Sequence, residues 1–177
     1  QGHAGISFLN GQFYGRVVVK GTNTGPIRFT GCGMFGSTVG KPEDVSHLDF
    51  AGPGEINFTN CHFMTIDPAC KAQTNIITRG GGITLNSCFF MDAGKKHIIL
   101  EEGTETAVII GNKFRGKETI INRSKGNVKI NDNVNNVLGT PKEEEGALIV
   151  DNADLTGVFR TSGEWNGSAA PGNRDYL

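Results

Sequence analysis

The sequence predicts an all-β fold, a single-stranded parallel β-helix of about six coils, and three observations predict it. The phrase GEINFTNCHFM at 54–64 recurs as GPIRFTGCGMF at 25–35, GGITLNSCFFM at 81–91, TAVIIGNKFRG at 106–116 and GNVKINDNVNN at 126–136, with an older copy, ISFLNGQFYG, at 6–15. Aligned at the corner, the copies place Gly11, Cys32, Cys61, Cys88, Asn112 and Asn133 at one position, in steps of 21, 29, 27, 24 and 21 residues. A period of that size is the mark of a solenoid. The third observation is a second set of runs in step with the first: Val17-Val18-Val19, His47-Leu48-Asp49, Asn75-Ile76-Ile77, His97-Ile98-Ile99, Thr119-Ile120-Ile121 and Ala147-Leu148-Ile149.

Each copy is short, rich in β-branched and aromatic residues, and closes on Gly, Asn or Asp. The unit is therefore strands and turns and not helices. Within 54–64, Ile56 and Phe58 alternate with Asn57 and Thr59, the chain turns at Asn60, and a strand resumes at His62 and Phe63. The second set of runs predicts a further parallel sheet. Longer steps are absorbed by loops: a polar, Pro-containing one at 36–46, MTIDPACKAQT at 64–74, a tighter corner MDAGKKH at 91–97, and the charged VLGTPKEEEG at 137–146. The β-helix is expected over residues 1–160. Beyond it the Gly-, Ser- and Asn-rich stretch 161–177 reads as an irregular tail lying over the coil or pointing at a missing neighbour.

At 177 residues the chain is long enough for one domain with a sizeable core. Its 26 glycines, without a G-X-Y period, exclude collagen and suit many tight corners. A charged fraction of 20% argues against disorder, and a net charge of −1 argues against a nucleic-acid or anionic-membrane partner. No apolar run approaches a membrane span, so no insertion is expected. The chain opens in mid-rung, and solenoid ends need polar protection. The expectation is a longer protein, or capping by another chain or by a homo-oligomer. The stacked cysteines read as buried small hydrophobes in an internal Cys–Asn ladder. Inter-rung spacing also brings a disulfide between neighbours within reach. No metal site and no cofactor are expected, because no pair shows zinc-ligand spacing.

Three constellations carry chemistry. Arg79, Glu101, Arg123 and Asp151 follow the second ladder with alternating sign, beside Phe50; this serves stability, or a charged wall gripping an acidic or hydroxylated sugar. His47 and Asp49, with Lys20, Thr78 and Asn122, are expected on an outward sheet face where a glycan would lie, walled by the loops at 36–46 and 64–74. Asp67, Asp92, Lys95, Lys96 and His97 belong to corners on adjacent rungs. A pair such as Asp67 and Asp92 suits glycoside hydrolysis. Lys95, His97 or Arg115 suits β-elimination, which needs a base and a cation to neutralise a uronate. The second set equally suits an ordinary solvated face, and the third suits charged residues at solvated turns.

The phrases GPIRFTGCGMFG, GEINFTNCHFM, GGITLNSCFFMDAGKKHIIL and TAVIIGNKFRGKETIINRSKGNVKI resemble the pectin lyase superfamily over residues 5–136. More narrowly they look like secreted bacterial β-helix proteins labelled pectate-lyase-superfamily or polygalacturonase-related. The resemblance implies a right-handed coil, secretion or periplasmic location, and action on a polysaccharide or oligosaccharide as a hydrolase, lyase or epimerase. The family's NTD, DD, HG, RIK and WIDH phrases are absent, and HLDF at 47–50 is a poor echo of the last, so no catalytic residue transfers by motif. From the residues themselves the expected catalytic set is His47, Asp49, Asp67, Asp92 and Lys95, with Lys20, Arg79, Glu101, Arg123 and His97 as substrate-binding groups. The alternative is a non-catalytic glycan-binding or structural β-helix, like a segment of an adhesin or tail fibre, in which Trp165 or the Arg79 face would hold the ligand.

Overall fold

A computed structural model describes residues 4–36 and 46–136. The chain divides into two units, Gln1–Leu138 and Gly139–Leu177. The second unit lies outside the described residues, and with it the expected strand at 147–149, Asp151, Trp165 and the 161–177 tail.

The first unit is a parallel β-solenoid of about five turns, built from three sheets. The first sheet stacks β1 (Ile6–Leu9), β4 (Ile27–Thr30), β7 (Glu55–Thr59), β10 (Gly82–Asn86), β13 (Thr106–Ile110) and β16 (Asn127–Asn131). The second stacks β2 (Gln12–Tyr14), β5 (Gly33–Gly36), β8 (His62–Thr65), β11 (Phe89–Phe90), β14 (Lys113–Arg115) and β17 (Val134–Asn136). The third holds β3 (Val17–Val19), β6 (Ser46–Phe50), β9 (Thr74–Thr78), β12 (Ile98–Leu100) and β15 (Ile120–Asn122). Every neighbouring pair is parallel, as the repeat requires.

The interior is filled by columns of like side chains. Phe8, Phe29 and Phe58 stack with centroids 4.9 and 4.8 Å apart, and Phe63, Phe90 and Phe114 at 4.7 and 4.6 Å. These separations match the roughly 4.8 Å between hydrogen-bonded strands, so the backbone ladder itself sets the ring stacking. Ile56, Ile83, Ile76 and Ile98 complete a dry core.

The corner between the first two sheets is two residues long at every rung, which explains the fixed spacing inside each repeat. Its first residue is left-handed throughout: Asn10, Gly31, Asn60, Ser87, Gly111 and Asp132 have φ between 53° and 66°. Gly, Asn and Asp tolerate that region best, and five of the six positions hold one of them. The second residue is the Cys–Asn column, and both residue types do the same work. Cys32, Cys61 and Cys88 donate their thiols to the carbonyls of Phe8, Phe29 and Phe58, one rung back, at 3.5, 3.4 and 3.6 Å. Asn112 and Asn133 donate Nδ2 to the equivalent carbonyls of Leu85 and Ile109 at 3.0 and 3.2 Å. All four cysteines are free thiols.

The third sheet corrects one expectation. Val17 pairs with Leu48 and not with His47, so the first rung is shifted by one residue relative to the runs aligned above. Nor do Lys20, Asp49, Thr78 and Asn122 all share one column. Asp49 aligns with Val18 and Ile77, Thr78 and Asn122 align with Phe50, and Lys20 falls beside Ala51. Three valines in succession carry no alternation, so nothing in that run pins its register.

Candidate functional site

The corners from the second sheet to the third vary in length, among the described residues from 15–16 to 66–73, and there the polar chemistry collects. After β8 the chain leaves the sheet at Thr65 and makes a 3-10 turn, Pro68–Cys70. Asp67 caps that turn by accepting the Ala69 amide at 2.9 Å. After β11 the chain turns at Asp92 and returns through Lys95 to His97. The two corners wall a hollow of about 570 Å³ over the outward column Met64, Met91 and Arg115, with Lys71, Asp92 and Lys95 also lining it.

Behind the hollow lies a buried network centred on Thr65 Oγ1. Asp92 accepts the Thr65 amide at 2.9 and 3.0 Å, the Thr65 hydroxyl at 2.8 Å and Asn75 Nδ2 at 3.2 Å. Lys95 Nζ donates to Thr65 Oγ1 and forms an ion pair with Asp92 at 3.4 Å. Asn75 Nδ2 also donates to His47 Nδ1 at 3.3 Å, which assigns the His47 proton to Nε2, 3.4 Å from Thr65 Oγ1. Thr65 Oγ1 thus accepts twice and donates once, and is saturated. Asn75 is fully buried and its Oδ1 has no partner.

Burial governs the protonation of the basic groups here, and at Asp92 it is outweighed. It lowers His47 to about 4, helped by the Lys95 charge and opposed by Asp92. It lowers Lys95 in spite of Asp92. Burial works to raise Asp92, but the Thr65 amide, the Lys95 charge and the Thr65 and Asn75 side chains together hold it below the usual carboxylate range. His97 is lowered by burial, and both its ring nitrogens are engaged: Nε2–H donates to the Asp92 carbonyl at 2.8 Å and Nδ1 accepts the Thr119 amide at 3.1 Å.

Several expected site residues stand elsewhere. His47 is not on an outward groove; only 2% exposed, its ring fills the space left by Gly36, where a Cβ would lie 2.0 Å from Nε2. Asp49 does face outward, but Arg16 at 2.7 Å and Arg79 at 2.9 Å clamp it, so it does not act with His47. Asp67 caps its own turn and is not among the residues lining the hollow. His97 turns into the core between Phe90 and Phe114 and is not at hand for a substrate. In the alternating column Arg123 pairs with Glu101 at 2.8 Å, while Arg79 pairs with Asp49 instead of Glu101, and the rung below contributes Ala51 and not Phe50. Lys20 is exposed. Asp92 and Lys95 are brought together as expected, with Arg115 beside them.

Thr65, Asn75, Lys71, Met64 and Met91 were not singled out from the sequence. Thr65 and Asn75 are uncharged residues in or beside strands and look like ordinary sheet positions. Met64 and Met91 carried a signal, since each follows a core Phe and so faces outward. Among the described residues no cluster of three or more His, Cys, Asp or Glu is placed to hold a metal, and no helix is long and apolar enough to cross a membrane. No family model, curated protein or solved structure matches this chain.

Proposed function

We propose that this chain is a secreted or periplasmic carbohydrate-active protein with a right-handed, pectin-lyase-like coil, and that it cleaves a uronate-containing polysaccharide by β-elimination at the hollow. The coil's handedness and the location rest on the resemblance of its repeats. One observation carries the chemistry: among the described residues, Lys71, Lys95 and Arg115 converge on a hollow whose lining holds one carboxylate, Asp92. Hydrolysis requires two carboxyl groups facing the scissile bond, and Asp67 does not supply the second. Elimination requires cations to neutralise the uronate and a base for the proton beside it. Arg115 and Lys71 serve as the cations. Lys95, whose amine burial biases towards its neutral form, serves as the base.

The saturated Thr65 hydroxyl favours a second reading, glycan binding without turnover, since Asp92 and Lys95 already bond to it within the protein. One assay separates the readings. Neutral and uronic-acid polymers are incubated with the folded protein while reducing ends and the ultraviolet absorbance of unsaturated uronates are followed together. Both signals should rise on a uronate polymer, vanish in K95M and weaken through KM in R115A. Reducing ends without absorbance would overturn elimination. No turnover on any polymer, with affinity lost in R115A, would establish the binding reading.

A further inference from the structure

The column of Cys32, Cys61 and Cys88 asks for an explanation beyond scaffolding. Asn112 and Asn133 show that Asn does the corner's hydrogen bonding more completely. Besides donating to the carbonyl one rung back, Asn112 Oδ1 accepts the Cys88 amide at 2.8 Å, and Asn133 Oδ1 accepts the Asn112 amide at 3.0 Å. A thiol makes only long versions of these bonds, such as the Cys32 amide to Cys61 Sγ at 3.4 Å. Packing beside the Phe29 and Phe58 stack asks for a small side chain, which Ser or Ala would also supply. What three successive cysteines add is the capacity to bond to one another.

We propose that Cys61 and Cys88 form a redox-responsive staple, closing to an inter-rung disulfide when a peroxide reaches the coil. The two residues occupy adjacent rungs of one column, as the pairing of His62 with Phe89 requires. Rung spacing of about 4.8 Å falls within the Cα separations a disulfide accepts, roughly 4.4–6.8 Å. Both sit at a corner outside regular strand, where small shifts of the backbone leave the ladders intact. Each thiol bonds to carbonyls of its own rung and of the rung before, and the two are unequal. The Cys88 side chain draws the Cys61 thiol down to about 7 against the effect of burial, while Cys61 and burial push Cys88 up. In the proposed staple Cys61 acts as the nucleophile and Cys88 as the resolving thiol.

In the first step the Cys61 sulfur attacks hydrogen peroxide and the O–O bond breaks. One oxygen becomes the sulfenic hydroxyl, and the other leaves with the thiol proton as water. In the second step the Cys88 sulfur attacks Cys61, the S–S bond forms, and the hydroxyl departs with the Cys88 proton as a second water. Two thiols give up two electrons in total, and the peroxide takes both. The bridge joins the rungs whose next strands are β8 and β11, and so fixes Met64 and Thr65 relative to Met91 and Asp92 across the hollow. It does not depend on what the hollow binds.

The test uses the folded wild-type chain. It is exposed to dilute hydrogen peroxide, quenched, alkylated in denaturant and mapped by mass spectrometry. The expected result is loss of two of the four thiols, with the Cys61 and Cys88 peptides joined and Tm raised by roughly 5–10 °C. In Cys88→Ser, which lacks the resolving thiol, dimedone should capture a sulfenic acid at Cys61. Survival of all four thiols would overturn the proposal, as would a bridge through Cys32 or Cys70, or oxidation of Cys61 and Cys88 without joining.

Discussion

The ion pair of Asp92 with Lys95 offers the sharpest test of how the corner is held together. The Lys95 side chain is 5% exposed and that of Asp92 15%, so solvent does little to screen them. Asp92→Asn keeps the shape and hydrogen-bonding reach of the side chain but leaves the Lys95 ammonium buried without its counter-charge. Breaking a buried pair from one side costs about 3–5 kcal/mol. The open hollow places this case near the lower end, about 3 kcal/mol at neutral pH. Lys95→Met removes the buried charge and keeps the stem. Asp92 retains its Thr65 and Asn75 donors, so the loss should be about 1–2 kcal/mol. In the double variant no charge is stranded, and the coupling energy should be about 2 kcal/mol. Urea unfolding of all four proteins at constant m-value measures it. The Asp92→Asn protein should also gain stability as pH rises. Its Lys95 has a depressed folded pKa, and the folded state binds fewer protons than the unfolded one up to the ordinary lysine value. Single-variant losses that add to within about 0.5 kcal/mol would refute the network described here.

His47 ties stability to pH in a predictable direction. Its folded value of about 4 lies below the ordinary 6.5, so its contribution is complete above pH 6.5 and lost as pH falls towards 4, roughly 3 kcal/mol in all. Urea midpoints at several pH values should show this slope, with His97 adding to it in the same sense, and His47→Gln should flatten it. At the left-handed corner, Gly111→Ala meets nothing closer than Asn86 Oδ1 at 3.7 Å, so its loss of about 1–2 kcal/mol should be backbone strain alone. Ser87→Asn at the same column should raise Tm, and a Tm unchanged or lowered would remove the strain argument for Ser87.

The first two sheets were legible because every repeat carries its own two-residue corner. Once Cys61 and Asn112 are aligned, the register of both flanking strands follows. The left-handed column was also written in the sequence, as Asn10, Gly31, Asn60, Gly111 and Asp132, but Ser87 interrupts the pattern that would have announced it. The third sheet was less legible because a corner of variable length precedes each of its strands, and Val17–Val19 has no polar residue to mark a face. In the candidate site, Asp92 and Lys95 were found because charge at adjacent corners is conspicuous. Thr65 and Asn75 were missed because a neutral polar residue reveals its role only when its partners are known. The parity that puts Ile98 inside puts His97 outside in a regular strand. The turn just before β12 reverses this and packs the ring against Phe90 and Phe114.

The three corners of the coil divide its labour, and this division explains where chemistry can arise. At the corner between the first and second sheets, length never varies, so each rung is placed on the last by the same left-handed residue and the same side-chain bond to a carbonyl. That constancy aligns Met64, Met91 and Arg115 in a straight outward column. At the next corner length varies freely, because the chain has left one sheet and not yet joined the next, and an insertion costs little there. Long corners on two adjacent rungs then meet side by side, and their polar groups find partners in each other: Asp92 of one corner accepts the amide of Thr65, the last strand residue before the other. A regular scaffold thus supplies position, and an irregular corner supplies the functional groups. Transplanting the 91–97 corner onto a rung whose neighbour has a short corner should leave the fold intact. It should also lose the depressed Asp92 protonation, because the Thr65 amide and hydroxyl donors would be missing.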